Sequence, residues 1–352
     1  MRAHQVFFHM QELYLMKWGN KLMKRLFQLV LVSGLLLTSM TNYALEPSEQ
    51  ILQRMGFVAK SINYDGVFSY QSGNKLQSIR IIHRANEQGE VERLVSLNGV
   101  PREVIRMNDM VTCVYPDGES VQEDHRPLGR GFPTDLLSRL SAASAYYQIN
   151  YGQEERVAGQ HSQQLVVKPI DSYRYGYQLW VDKHHNLLLQ ADLINEQGRV
   201  LETFAFSTID INIDIPDHSL KALMQGNEMT WNRNEQKEKR MMSVAAHKKE
   251  SVWQVEWLPV GFDLIAQKNT FKLANGAPVE QRVYSDGLSS VSVFFEKIRA
   301  RHGHLRGGSS RGAVNVFGTI TNAHFVTVVG EVPETTVEKI ADSITFISDD
   351  ND

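Results

Sequence analysis

The chain of 352 residues has a single cysteine, Cys113, so no intrachain disulfide can form and burial alone must hold the fold. It has no second long apolar run after residues 26–37, which excludes a chain that crosses a membrane with several helices. There is no glycine fingerprint after a strand and opening a helix, which removes the usual signal of a nucleotide cofactor. Excess positive charge is also missing. Residues 1–44 hold five of the 37 Lys and Arg and one of the 40 Asp and Glu; without them the net charge is about −7, the wrong sign for a general nucleic-acid binder.

What is present begins with an address. Met23, Lys24 and Arg25 form a basic head, Leu26 to Leu37 an apolar core, and Asn42-Tyr43-Ala44 a cleavage end, the pattern of a secretory signal peptide. Cleavage near Ala44 would start the mature chain at Leu45, and residues 1–22 read as an over-called start. No cysteine stands near Ala44 to carry a lipid. The expected product is a soluble exported protein of about 308 residues, enough for two domains.

Residues 46–62 predict an amphipathic helix with Ser48 as cap and Ile51, Leu52, Met55, Val58 and Ala59 on one face. The period then becomes alternating. Runs at 67–70, 77–83, 91–97, 103–106 and 110–115, separated by Gly-, Asn- and Asp-rich turns, predict an antiparallel meander. A helix over 134–145 interrupts it, and strands resume at 156–167, 175–182, 187–195 and 200–214. One face of such a sheet needs a helical cover. Residues 226–250 carry six bases and four acids and read as a charged interdomain linker. Strand-like runs follow at 253–257, 262–272, 279–285, 288–295, 313–321 and 324–329, with Asp286-Gly287 as a hairpin turn. A closing helix after Pro333 is expected to begin with a Thr335/Glu338 capping box. The organisation expected is a signal segment over 1–44, a first domain over 45–225, a linker over 226–250 and a second domain over 251–352. The fold class is α+β: a curved antiparallel sheet covered by helices, plus a smaller antiparallel sheet domain with its own helix.

Chemistry is scarce. Gly308-Ser309-Ser310-Arg311-Gly312 fits Gly-x-Ser-x-Gly, but a nucleophile elbow needs a strand before the serine and a helix after it. A loop precedes this motif and a strand-like run follows, so Ser310 reads as part of a flexible Gly/Ser loop. His184-His185 point to opposite faces of an extended chain, and His302 and His304 lack a third ligand, so no metal site is expected. Cys113, in a strand-like run, reads as a small buried thiol. Neither an enzyme nor a cofactor is called for. Two binding features remain. Lys297, Arg299, Arg301, Arg306 and Arg311 gather in a segment with no acid, suited to carboxylate or phosphate partners. Phe68, Trp180, Phe204 and Phe206 are candidates for a lipid cavity in the first sheet.

Tyr284-Ser285-Asp286-Gly287-Leu288, Trp257-Leu258-Pro259-Val260-Gly261-Phe262, Val329-Gly330-Glu331-Val332-Pro333 and Gly99-Val100-Pro101-Arg102-Glu103-Val104 resemble the RseB/MucB family. Residues 175–182 and 198–202 are similar to its first domain. The resemblance implies a first domain like the lipoprotein carriers LolA and LolB, and a second that binds the periplasmic part of the anti-sigma factor RseA. It further implies shielding of RseA from the protease DegS, and release by lipopolysaccharide or a lipid-like signal. On that reading Tyr284, Asp286, Gly287 and Leu288, with Arg299, Arg301, Arg306 and Arg311, are the candidate partner surface. A periplasmic lipid or lipoprotein carrier of the LolA type is the alternative. The oligomeric state, including a homo-oligomer, stays open.

Overall fold

Helix α1 (Ser48–Ser61) buries Ile51, Leu52, Met55 and Ala59 as one stripe, the arrangement its i, i+4, i+8 spacing dictates. Helix α2 (Thr134–Ala142) turns Leu136, Leu137 and Leu140 the same way, and a short 3₁₀ turn over Ser144–Tyr146 replaces its expected last turn. The two pack on each other and on one face of the first sheet. The computed structural model describes residues 48–116, 134–232, 253–272, 278–298 and 306–346. The signal segment therefore lies outside the described residues. Among those residues no helix is long and apolar enough to cross a membrane.

The first sheet contains β1 (Tyr64–Ser72), β2 (Lys75–Asn86), β3 (Gly89–Ser96), β4 (Glu103–Met107), β5 (Met110–Tyr115), β6 (Tyr147–Val157), β7 (Gln160–Pro169), β8 (Gly176–Asp182), β9 (Leu188–Ile194), β10 (Val200–Ile211) and β11 (Asn227–Asn232). Its order is β11-β5-β4-β3-β2-β1-β10-β9-β8-β7-β6, antiparallel throughout. Two meanders meet at the centre, where β1 pairs with β10 from Tyr64↔Ile211 to Ser72↔Glu202. A bulge at Val67/Phe68 sets Phe68 opposite Phe206. Gly66 beside it has no room for a side chain: a Cβ would lie 2.7 Å from the Thr208 carbonyl and 2.8 Å from the Phe206 ring. Ile79, Ile81, Leu94, Val104, Val111 and Cys113 face the helices, as period-two alternation requires.

Two expectations need correction here. Residues 156–167 are not one strand. Ala158 and Gly159 both take positive φ (49° and 82°), so the chain reverses between β6 and β7. The charged stretch does not begin as a linker at Gly226 either. Asn227–Asn232 pairs with β5 as an edge strand, Thr230 against Thr112 at 2.9 Å, and an edge strand needs only a backbone partner on one side. Residues 233–252 lie outside the described residues.

The second sheet has β13 (Asp263–Lys272), β14 (Pro278–Ser285), β15 (Ser290–Lys297), β16 (Gly307–Arg311), β17 (Val314–Thr321) and β18 (His324–Gly330), in the order β13-β14-β15-β18-β17-β16. Helix α3 (Glu334–Asp342) buries Val337, Ile340 and Ala341 in the same core as Val291, Val293, Val326 and Val328. A two-stranded piece, β12 (Trp253–Val255) with β19 (Ile344–Phe346), closes the end, and Trp253 stacks on Phe295 at 4.8 Å. The capping box does not form. Pro333 is the N-cap, no side chain caps the helix, and Thr335 is already inside it. The observed class is α+β, with a smaller C-terminal sheet domain beside the large one.

Candidate functional site at the domain junction

Both sheets belong to one compact unit, Pro47–Asp352, and the side chains that join them centre on Arg174. Arg174 sits in the β7–β8 loop with its side chain fully buried. Its Nε donates to Asp286 Oδ2 at 2.6 Å, and its other nitrogens reach the Asp171 carboxylate and the Val260 carbonyl. The guanidinium carbon lies 4.9 Å from the Tyr146 ring centroid and 5.1 Å from that of Phe262, so aromatic faces cover it. Burial opposes its charge, but the hydrogen bonds to Asp286 and Asp171 more than offset this and raise its pKa above the ordinary arginine value. Burial, with the Asp286 charge adding to it, pushes the neighbouring Tyr147 phenol well above its usual range.

Asp286 is held for this role by its own turn. While Oδ2 faces Arg174, Oδ1 accepts the backbone N–H groups of Leu288 (2.9 Å) and Ser289 (2.7 Å), and Gly287 takes φ +96° between them. Leu288 then inserts into the first domain's core, with Arg139 reaching its carbonyl at 3.4 Å. A second line of contacts runs alongside. Asn315 Nδ2 donates to Tyr175 Oη (2.8 Å) and to the Val332 carbonyl (2.7 Å); Thr336 Oγ1 donates to the Tyr173 carbonyl (3.1 Å). Lys339 bonds Tyr173 Oη at 2.7 Å, with its ammonium 4.0 Å from the Trp257 ring centroid.

This geometry redistributes the expected site residues. Tyr284 is a core residue of the second domain, and Asp286, Gly287 and Leu288 are engaged in the junction, so three of these side chains present no free surface. The sequence pattern could show a tight turn here but not what the turn was tight against. Arg306 and Arg311 are exposed at the two ends of β16, and neither has an ion-pair partner among the described residues. Arg299 and Arg301 lie outside the described residues. Phe68, Phe204 and Phe206 do come together, with centroids 4.7, 5.8 and 5.4 Å apart, as buried members of the first core. Trp180 stands apart on β8, with β9 between it and β10, and its indole N–H donates to Glu155 at 3.0 Å.

Ser310 lies in edge strand β16, opposite Asn315. The expected flexible loop is thus a strand from Gly307 onward: Gly and Ser carry little strand signal, and the ladder to β17 supplies what the side chains do not. No strand-to-helix elbow forms around it. His185 and the backbone of His184 are taken up by Asp182 at the β8–β9 turn, and no group of metal-ligating side chains is assembled among the described residues. Cys113 is buried and free, and burial raises its thiol pKa.

The profile of the MucB/RseB N-terminal domain matches residues 47–224, and that of the MucB/RseB C-terminal domain matches residues 247–345. The chain belongs to the MucB/RseB family. It is similar to the sigma factor AlgU regulatory protein MucB of Pseudomonas aeruginosa, 30% identical over 325 residues, which is 90% of this chain and 96% of that protein. It is also similar to the sigma-E factor regulatory protein RseB of Escherichia coli K12, 27% identical over 327 residues, 92% of this chain and 99% of the relative. Among solved structures, MucB in complex with MucA(peri) matches with a TM-score of 0.64 at 27% identity, covering 86% of this chain and 100% of that one. Arg174 lies in the first matched segment and Asp286 in the second, so the buried pair joins the two domains that define the MucB/RseB family.

Proposed function

We propose that the chain is a periplasmic negative regulator of the sigma-E envelope-stress response. It binds the periplasmic segment of the membrane anti-sigma factor RseA, shields that segment from site-1 cleavage by DegS, and lets go when lipopolysaccharide or a lipid-like signal binds. The observation that carries this reading is the match over the whole of the MucB chain that was solved with MucA(peri). The reading is supported by the signal-like segment at residues 23–44, which would deliver the chain to the compartment where such a segment is exposed.

In this reading the first domain runs from residue 45 through β11, which ends at Asn232, and the second spans 251–352. The second presents the partner surface through Arg306 and Arg311, with Arg299 and Arg301 adding to it. Tyr284 and the turn from Asp286 to Leu288 act indirectly, by fixing how the second domain is held. Lipid enters at the first domain's aromatic cluster, Phe68, Phe204 and Phe206. The test is co-purification with the RseA periplasmic segment, with and without lipopolysaccharide. A stable complex that lipopolysaccharide dissociates supports both halves; a complex it leaves intact removes the sensor, and no complex removes the function.

A further inference from the structure

Strand β16 is the outer edge of the second sheet, and its composition is unusual for an edge. Natural edges are blunted with lysine, proline or bulges, because an unpaired row of N–H and C=O groups is a template for another strand. Here Gly307-Gly308-Ser309-Ser310 offers four small uncharged residues in a row, and all of the strand after Gly307 is exposed. Among the described residues no strand pairs with its outer side. The hairpin to β17 is regular from Gly307↔Gly318 to Arg311↔Val314, around a two-residue turn in which Gly312 takes φ +62°. Arg311 and Val314 close such a turn by bonding each other, so Ser309 and Gly307 also bond to β17. The backbone groups of Gly308 and Ser310 therefore point outward. Ala313 in the turn is buried against Tyr175 and Leu193, which fixes the hairpin to the first domain.

Charge selects among possible occupants. Arg306 and Arg311 bracket the strand, exposed and without ion-pair partners among the described residues. Glu334, at the start of α3, lies over Gly308, where a Cβ would stand 2.5 Å from its carboxylate. An incoming strand thus meets negative charge over its middle and positive charge at both ends. The geometry points to β16 as a strand-addition site for an extended protein segment whose acidic side chains fall at its two ends, a small or uncharged residue lying between them. This rests on the regulatory reading above and names how the anti-sigma segment is held: by backbone pairing at Gly308 and Ser310, with Arg306 and Arg311 as clamps.

Proline at position 310 removes an outward N–H while leaving the ladder to β17 intact, which edge positions tolerate. Binding of the purified RseA periplasmic segment to the full mature chain is measured for wild type, Ser310→Pro, Ser310→Ala and Arg306→Glu/Arg311→Glu. Ser310→Pro is expected to weaken binding about tenfold, the worth of one or two backbone hydrogen bonds. Ser310→Ala is expected to bind as wild type, and the double reversal to bind more weakly with a flattened salt dependence. Amide exchange at Gly308 and Ser310 should slow when the segment binds, a readout that stands even if the proline variant folds poorly. Wild-type affinity in Ser310→Pro with unchanged exchange at both amides overturns strand addition and leaves the regulatory reading standing; no binding by wild type overturns both. Protection of the edge without partner, in a species of twice the chain mass that Ser310→Pro dissociates, would make the occupant a second copy and also overturn it.

Discussion

In the first domain's core, Phe68, Phe204 and Phe206 pack ring against ring beneath two helices, and exchanging one apolar neighbour for another of similar size would change little. At the junction, a fully buried arginine is matched to two carboxylates, one carbonyl and two ring faces, and no substitute fits all five. The core is held by area and shape, the junction by direction. A buried ion pair adds little net stability over an apolar replacement of both partners, because desolvation consumes most of the attraction. It does penalise every arrangement in which one partner is left alone. The junction therefore specifies how the second domain is held more than it strengthens the fold.

That contrast can be broken most forcefully at its centre. Arg174→Ala leaves Asp286 buried without its cation and should cost about 3–5 kcal/mol, read from urea unfolding. Alkylation of Cys113, slow in the native chain because the thiol is buried with a raised pKa, should stay slow in this variant at low denaturant. Fast alkylation there would mean that core and junction are one unit. Leu288→Ala, which empties an apolar socket at the end of the same turn, should cost about 2–3 kcal/mol. Asn315→Ala leaves the Val332 carbonyl and the Tyr175 hydroxyl oxygen without their shared donor and should cost about 1–2 kcal/mol. Lys339→Gln, losing an exposed ammonium over Trp257 and Tyr173, should shift stability by about 0.5–1 kcal/mol.

The core was legible in sequence because its cause is local. Ile51, Leu52, Met55 and Ala59 repeat with the helical period, and Ile79 and Ile81 alternate with Ser78 and Arg80, so each face declares itself within a few residues. The junction was not legible, because its partners are 112 residues apart and each is ordinary alone. Asp286 reads as a turn residue and serves as one; nothing in the sequence shows that its second oxygen faces Arg174. The nearest signal to Arg174 was a loop arginine flanked by Tyr173 and Tyr175, ahead of an apolar strand. The hidden turn at Ala158-Gly159 and the edge strand at Gly307–Arg311 escaped for a related reason: both are made by backbone pairing with side chains that carry little strand preference.

The comparison also separates the two halves of the proposed function. On the proposed reading, release by lipid would act through the aromatic cluster of the first domain, whereas holding the anti-sigma segment would depend on the second. The most direct measurement is the rate at which DegS cuts the RseA periplasmic segment, with and without a saturating amount of the mature chain. The expected result is cleavage strongly slowed by the chain and restored by lipopolysaccharide. An unchanged cleavage rate in its presence would contradict the regulatory function outright.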